Sequence, residues 1–289
     1  GCTTNGNRVG IGDRGTAGTV IMGNVSYANV RDGITVSYGA RDGIISGNII
    51  YKNVREGVAF NNDSRNPYTV TKNRIFENTL RGVYVPNATS PFSGLTITDN
   101  EIYRNGLHGV ELSGFAPGGF SNPIVSRNRV FDNGQAAASR GFLFDCSASG
   151  FTIDANDVYD TQTVKTQTVA FKFSDSAAQT LVNGSVDGNK LAESVTPFSL
   201  GSAVRTNVSI QRNTGYATRT SGSGTLAIGA AAADFNHGLA SGLTPTVVTL
   251  TPRGEGVNLY TNNRTGVIFR AARVGATTTA LVFDWTAEA

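Results

Sequence analysis

An asparagine recurs along most of the chain, each time between two short stretches of alternating apolar and polar residues. Successive copies are 24 to 33 residues apart. The members are Asn48, Asn73, Asn100, Asn128, Asn156, Asn189 and Asn213, with Asn24 one interval ahead of them. A repeat of this length is typical of a solenoid or an array of small units, and excludes one conventional globular core.

Three short strands are predicted in each repeat. An alternating stretch such as Leu95–Thr98 precedes the asparagine, an aromatic stretch such as Glu101–Tyr103 follows it, and a third such as Gly109–Leu112 begins at a glycine. Alternation with a period of two, with turn residues at fixed offsets, excludes a helical repeat. We expect the asparagine to occupy the turn because it tolerates a left-handed backbone, and stacked copies to hydrogen-bond from one repeat to the next.

Composition excludes several other classes of protein. Glycine accounts for 35 of 289 residues but has no three-residue period, so the chain is not a collagen. The net charge of +3 is too small to indicate a nucleic-acid partner. No apolar run approaches the roughly 18 residues of a membrane-spanning helix. No membrane partner is therefore expected.

The asparagine column and the three-strand repeat resemble the right-handed parallel β-helix family of pectate lyases, alginate epimerases and phage tailspikes. The resemblance covers roughly residues 19–216. It implies an all-β fold, a right-handed parallel β-helix with three strands per coil, where a coil is one turn of the solenoid. It also implies that saccharides bind or react on the glycine-initiated strands and their flanking turns. The recurring aromatic residues are expected to form a stack rather than a sugar platform: Phe76, Tyr103, Phe131 and Tyr159.

The repeat pattern ends after the last asparagine, Asn213. We predict a β-helix over residues 1–216, a small polar linker over 217–224 and a C-terminal antiparallel β-sandwich over 225–289. The segment Phe235–Leu239 and the closing Phe283–Trp285 resemble C-terminal modules of phage tail fibres and H-type lectins. This resemblance implies a trimerising, capping module, in which His237 is interpreted as a structural or interface residue.

Two carboxylates fall on the same predicted face. Glu111 and Asp145 are one coil and two residues apart, which gives a separation of roughly 8 Å. An inverting glycosidase has its two carboxyl groups about 6.5–9.5 Å apart, one to protonate the leaving oxygen and one to activate water. The alternative is that Asp145 forms a surface ion pair with Lys172, its predicted neighbour, while Tyr84 covers Glu111.

A second chemistry is β-elimination of a uronate, which needs a cation and a proton-transfer group. His108 lies beside Arg81 and Arg140 in the predicted coil alignment, with Tyr84 on the same face. The alternative is a turn histidine stacked between two arginines, and Glu56 beside Arg81 is interpreted as a charge pair. The clustered aspartates of calcium-dependent pectate lyases and the Asp-Pro-His signature of epimerases do not occur in the sequence. We expect no metal or other cofactor.

Two longer insertions lie on the same edge of the predicted solenoid. They span residues 61–66 and 113–120, and Phe115 and Phe120 in the second are expected either to stack on sugar rings or to pin the loop. Insertions on one face of a solenoid often mark its binding face.

The sequence therefore predicts a homotrimeric, tailspike-like protein, extracellular or on a virion surface, that binds and depolymerises a polysaccharide. The polymer would be a bacterial surface glycan or a uronate polymer. The alternatives are a non-catalytic receptor-binding or structural fibre and a uronate polysaccharide lyase. The predicted catalytic pair is Glu111 and Asp145, and the predicted substrate-binding residues are Tyr84, His108, Arg81, Arg140 and Lys172.

Overall fold

A computed structural model describes residues 1–61, 67–86, 91–114, 119–191, 196–216, 219–226, 232–236, 239, 247–252, 259–264, 268–273 and 281–288. Every regular element within these residues is a β-strand. The chain divides into two compact units, Gly1–Gly215 and Tyr216–Ala289. No helix able to span a membrane occurs in the part of the chain that the structure describes.

Three parallel sheets form the first unit, and successive strands enter sheets C, A and B in turn. Sheet A consists of Thr3–Asn5, Val25–Tyr27, Ile49–Tyr51, Arg74–Phe76, Glu101–Tyr103, Arg129–Phe131 and Asp157–Tyr159. Sheet B consists of Ile11–Arg14, Ile34–Ser37, Val58–Phe60, Val83–Pro86, Val110–Gly114, Ser139–Cys146, Gln167–Phe173 and Thr196–Ser199. Sheet C consists of Val20–Met22, Gly43–Ser46, Tyr68–Thr71, Phe92–Ser93, Leu95–Thr98, Phe120–Ser121, Ile124–Ser126, Ala148–Ser149, Thr152–Asp154, Thr180–Asp187 and Val204–Gln211. This parallel β-helix with three strands per coil confirms the predicted fold.

The predicted asparagines form a continuous hydrogen-bonded ladder between sheets C and A. The Nδ2 group of Asn48 donates to Oδ1 of Asn73 at 2.9 Å, and the same oxygen accepts the main-chain N–H of Asn48 at 2.9 Å. Asn73 repeats both contacts with Asn100 at 3.0 Å. The ladder runs from Asn24 to Asn213 and confirms the predicted stacking.

A second ladder, which the sequence analysis did not predict, lies between sheets A and B. It uses the asparagine that closes each aromatic stretch, and Asn53 donates through Nδ2 to Oδ1 of Asn78 at 2.8 Å. The signal was present in the aligned repeats as a second asparagine five residues after the first. The ladder members are Asn29, Asn53, Asn78, Asn105 and Asn133, and Gln167 accepts from the last of them.

The ladder asparagines do not themselves adopt the left-handed backbone, so that expectation was wrong. The residue before each of them does: φ is 56° at Lys72, 58° at Asp99 and 52° at Arg104. The asparagine must direct its N–H and its side chain along the solenoid towards the neighbouring coil. The preceding residue therefore makes the turn, and residues as different as lysine, aspartate and arginine occupy it.

The interior and the outer aromatic stack follow the predicted alternation. Inward residues such as Val110 and Leu112 are fully buried. Ring centroids in the stack on sheet A are 4.8 to 5.0 Å apart, which confirms the predicted stack. Each inner ring face is covered by the next ring, so the stack offers mainly ring edges rather than faces to a ligand. Its members are Tyr27, Tyr51, Phe76, Tyr103, Phe131 and Tyr159.

The glycine before the sheet B strands is required by close packing between coils. A Cβ atom at Gly82 would lie 2.4 Å from Cγ2 of Ile102 and 2.6 Å from the carbonyl oxygen of Gly109. Both distances are far below van der Waals contact. The repeated glycine is therefore a packing requirement of the coil rather than a sign of flexibility.

The second unit contains two three-stranded antiparallel sheets. Strand Arg219–Leu226 occupies most of the predicted linker. Its main chain pairs along its whole length with Leu281–Glu288, and this pairing does not depend on the type of side chain. His237, Phe115 and residues 62–66 lie outside the described residues. The first sheet contains Arg219–Leu226, Leu281–Glu288 and Val247–Pro252, and the second Ala232–Asn236, Ile268–Arg273 and Leu259–Arg264.

The replacement Asn100→Ala is expected to destabilise the solenoid by about 2–4 kcal/mol, because it removes the acceptor of the buried main-chain N–H of Asn73 and one side-chain hydrogen bond each from Asn73 and Asn128. Asn5→Ala is a matched control, since Asn5 is exposed and loses only a contact with Tyr27. Urea unfolding followed by circular dichroism measures both. Equal midpoints for the two variants would contradict the ladder's role.

Candidate functional site

The register of sheet B places the predicted site residues in defined columns on its outer face. Glu111 lies beside Tyr84 in the preceding coil and Leu143 in the following one. Ser113 lies beside Asp145, so Glu111 and Asp145 are one coil and two residues apart, as predicted. Lys172 lies beside Leu143 and therefore belongs to the column of Glu111.

The predicted placement of Lys172 beside Asp145 was wrong. A β-bulge opposite Ser139 and Arg140 adds one residue to the strand Gln167–Phe173, and no glycine marks where that coil begins. The residue that contacts Asp145 is Ser174, whose hydroxyl donates to Oδ1 at 2.6 Å. Lys172 instead forms an ion pair with Asp175, so the alternative of an Asp145–Lys172 ion pair is not supported.

Glu111 is held in a two-point ion pair. Arg81 donates through Nε to Oε2 of Glu111 at 2.5 Å and through Nη2 to Oε1 at 3.5 Å. The same guanidinium reaches Glu56 at 3.3 Å and lies 4.4 Å from the ring centre of Tyr84. Glu111 is only 6% exposed. A substrate would have to displace Arg81, rather than Tyr84, to reach this carboxylate.

His108 is held as a neutral imidazole. Burial, followed by the positive charges of Arg140, Arg81 and Lys172, lowers the pKa of His108 to about 3. Its Nδ1 accepts the main-chain N–H of Arg140 at 3.2 Å, and its Nε2 lies 3.7 Å from Oε2 of Glu111. A neutral imidazole has one acceptor nitrogen. That nitrogen is already occupied, so His108 is poorly placed to act as a base.

A cleft of about 420 Å³ opens on the outer face of sheet B beside these groups. It brings together three of the predicted residues, Arg140, Asp145 and Lys172, and leaves the pair of Glu111 and Arg81 outside its lining. Three lining residues were not predicted, because Ala170 stands where the earlier coils have a glycine and the end of this strand was therefore placed two residues out of register. They are Ser174, Asp175 and Ser176.

Two buried carboxyl groups lie just before the sheet B strands Ile34–Ser37 and Val58–Phe60. Asp32 and Glu56 are each 1% exposed, and Arg55 reaches Glu56 at 3.2 Å and Asp32 at 3.8 Å. Burial raises the pKa of Glu56 to about 7, and a hydrogen bond with Asp32 adds to the effect. The interpretation of Glu56 and Arg81 as a charge pair is confirmed.

The family model described as "Periplasmic copper-binding protein (NosD)" matches residues 1–141. Copper is bound by imidazole, thiolate and thioether groups. The matched segment has one of each, Cys2, Met22 and His108, and His108 lies at least three coils beyond the other two. The described residues hold no cluster of three His, Cys, Asp or Glu able to bind a metal ion. These residues do not fit a copper centre.

Solved structures with the same fold are similar over most of this chain. The mannuronan C-5 epimerase AlgE6 A-module of Azotobacter vinelandii is 16% identical over 73% of this chain and 56% of its own, with a TM-score of 0.58. The periplasmic alginate epimerase AlgG is 18% identical over 73% and 48%, with a TM-score of 0.58. The Pseudomonas phage phi297 tailspike gp61 is 12% identical over 97% and 60%, with a TM-score of 0.57.

No curated protein sequence matches this chain. The chain spans about half the length of the solved epimerases it resembles. At these identities the shared property is the fold, so the chain is a parallel β-helix of the kind found in alginate epimerases and phage tailspikes.

The Glu56 carboxyl group is expected to make stability fall as the pH rises. Its folded pKa of about 7 lies above the ordinary 4.5, so the folded state keeps a proton that the unfolded chain has lost. The contribution is complete below about pH 4.5 and is lost by pH 7, a difference of about 2–3 kcal/mol. The difference between the urea midpoints of wild type and Glu56→Gln, measured from pH 4 to 8.5, tests this decline.

His108 acts in the opposite direction, because its folded pKa of about 3 lies below the ordinary 6.5. Its contribution is complete above pH 6.5 and is lost towards pH 3. Between about pH 4.5 and 6.5 the two contributions oppose each other, so the wild type is expected to show only a shallow stability maximum there. Glu56→Gln should remove the decline on the alkaline side only. An unchanged alkaline decline in this variant would contradict the assignment to Glu56.

Proposed function

We propose that this chain binds a polysaccharide on the outer face of sheet B, centred on the cleft lined by Arg140, Asp145 and Lys172. The cleft itself carries the proposal, because it combines two cations, carboxylate oxygens and serine hydroxyls on one accessible surface. A few convergent polar groups in a concave site are typical of ligand-binding pockets. A sugar offers hydroxyl groups that can both donate to the carboxylates and accept from the cations.

The similar solved structures support a polymeric ligand. Two are named as epimerases of mannuronan and alginate, which are polysaccharides, and the third is named as a phage tailspike. Equivalent residues in neighbouring coils repeat about every 4.8 Å, so the face of a β-helix offers an extended site to a linear polymer. Fold alone does not determine function, and the cleft is what makes this face a candidate.

A location outside the cytoplasm is part of the proposal. The family model and one of the epimerases both carry the word periplasmic in their names. A virion-surface location and the tail-fibre or lectin-like character of the C-terminal unit remain predictions from the sequence.

Cleavage of the bound polymer is the second candidate function. The observed register keeps Glu111 and Asp145 roughly 8 Å apart along the sheet, within reach of an inverting mechanism. The ion pair with Arg81 argues against free proton transfer by Glu111. Elimination is less favoured still, since the acceptor nitrogen of His108 is occupied. Binding without cleavage is thus the function that the geometry supports best.

The binding site can be tested with two lysines that each pair with an aspartate. Lys172→Met removes a cation from the cleft and is expected to weaken polysaccharide binding about tenfold. Lys190→Met is the matched control, because Lys190 pairs with Asp157 away from the cleft. Affinity electrophoresis against a panel of bacterial polysaccharides measures both. Equal losses in the two variants, or no binding by the wild type, would contradict the proposal.

The cleavage question has a separate test. The same polysaccharides are incubated with wild type, Glu111→Gln, Asp145→Asn and His108→Ala, and assayed for reducing ends and for the absorbance of unsaturated uronates. We expect bound polymer without product. Reducing ends that both variants abolish would instead establish hydrolysis by this pair. Absorbance that His108→Ala abolishes would establish elimination.

The homotrimer is a prediction that sedimentation velocity can test. A trimer is expected at micromolar concentration because a trimeric C-terminal module would cover open strand edges. A stable monomer at that concentration would contradict it.

A further inference from the structure

The arginines of the sheet B face differ in how their charge is balanced. Arg81 lies between the carboxylates of Glu56 and Glu111 and is neutralised by them. Arg140, two coils further on, forms no ion pair with any described carboxylate. Its Nε atom is buried and has no hydrogen-bond partner among the described residues. Such a donor costs stability unless a ligand or solvent satisfies it.

The second cation of the cleft is only weakly engaged. The side chain of Lys172 is 15% exposed, whereas that of its partner Asp175 is 69% exposed. An ion pair with so exposed a partner is screened by solvent and contributes little. A ligand anion can therefore replace Asp175 at little cost.

Positive charges also surround His108 at this end of the face. Burial is the main cause that lowers the pKa of His108, and the charges of Arg140, Arg81 and Lys172 lower it further, although Arg81 is itself matched by two carboxylates. Asp145 contributes a carboxylate to the same cleft, and one of its oxygens already accepts from Ser174. The cleft thus offers donors with positive charge next to a carboxylate with acceptor capacity left.

We propose that Arg140 and Lys172 bind an acidic group of a saccharide while Asp145 accepts hydrogen bonds from its hydroxyls. The inference rests on the proposed polysaccharide site and narrows its ligand to acidic glycans. Arg140 is the principal anion-binding residue, because a guanidinium can bind a carboxylate, phosphate or sulfate group through two parallel hydrogen bonds. Arg81 takes no part in anion binding, since its charge is already matched.

The test compares acidic polymers with neutral versions of the same backbone. Polygalacturonate, alginate and hyaluronate are titrated calorimetrically against wild type, each beside its carboxyl-reduced form, at 50 and 300 mM salt. At least one acidic polymer is expected to bind about tenfold more tightly than its reduced form, and less tightly at high salt. Sulfated dextran beside dextran tests the same chemistry from another acidic group.

Arg140→Gln is expected to reduce the preference for the acidic polymer about tenfold. Arg140→Lys, which keeps the charge but loses the two-point geometry, should be intermediate. Arg104→Gln is the matched control, because Arg104 is exposed and lies outside the cleft. Circular dichroism and thermal melting establish that each variant folds, and a fold loss in Arg140→Gln leaves Arg140→Lys and Lys172→Gln to decide.

Each remaining outcome has a distinct meaning. If neutral polymers bind as tightly as acidic ones, or Arg140→Gln keeps the full preference, this inference fails while the polysaccharide site stands. If sodium sulfate alone binds as tightly as the polymers, the cleft is a small-anion site and the saccharide assignment fails. If no polymer of either kind binds, the proposed function fails as well.

Discussion

Hydrogen bonds between identical amide side chains in neighbouring coils hold this solenoid in register. A ladder asparagine inside the run, such as Asn100, is almost fully buried, accepts the main-chain N–H of one neighbour and donates to the side-chain oxygen of the other. A buried amide with any partner missing would be costly. The two ladders therefore fix two of the corners around which each coil bends, and they align the outer columns of sheet B on which the candidate site lies.

The stacking of coils that the ladders maintain limits which residue types each position can accept. Inward positions must fill the space between the sheets, and the glycine before the sheet B strands must admit the next coil, as at Gly82. Outward positions on sheet B are released from both constraints, so charged groups can gather there. Arg81 is matched by two carboxylates, whereas Arg140 is matched by none among the residues that the structure describes, so this freedom is used unevenly along the face.

Much of this architecture could be predicted from the sequence because it repeats. The spacing of Asn48, Asn73 and Asn100 was enough for the coil, the three sheets and the register up to Asp145. The error at Lys172 arose where the repeat is interrupted, because Ala170 replaces the glycine that begins the sheet B strand in the earlier coils. The ion pair of Glu111 could not be predicted either, because it depends on how an arginine of the preceding coil orients its side chain.

The left-handed turn residues have a practical consequence. Lys72, Asp99 and Arg127 each stand one coil apart, immediately before a ladder asparagine, yet none belongs to the ladder. Because coils stack at about 4.8 Å, substituents attached at such positions would form a row with that spacing along the solenoid. Probes attached at this corner between sheets C and A would therefore lie at known, regular distances, and attaching them would leave the hydrogen bonds of the ladder intact.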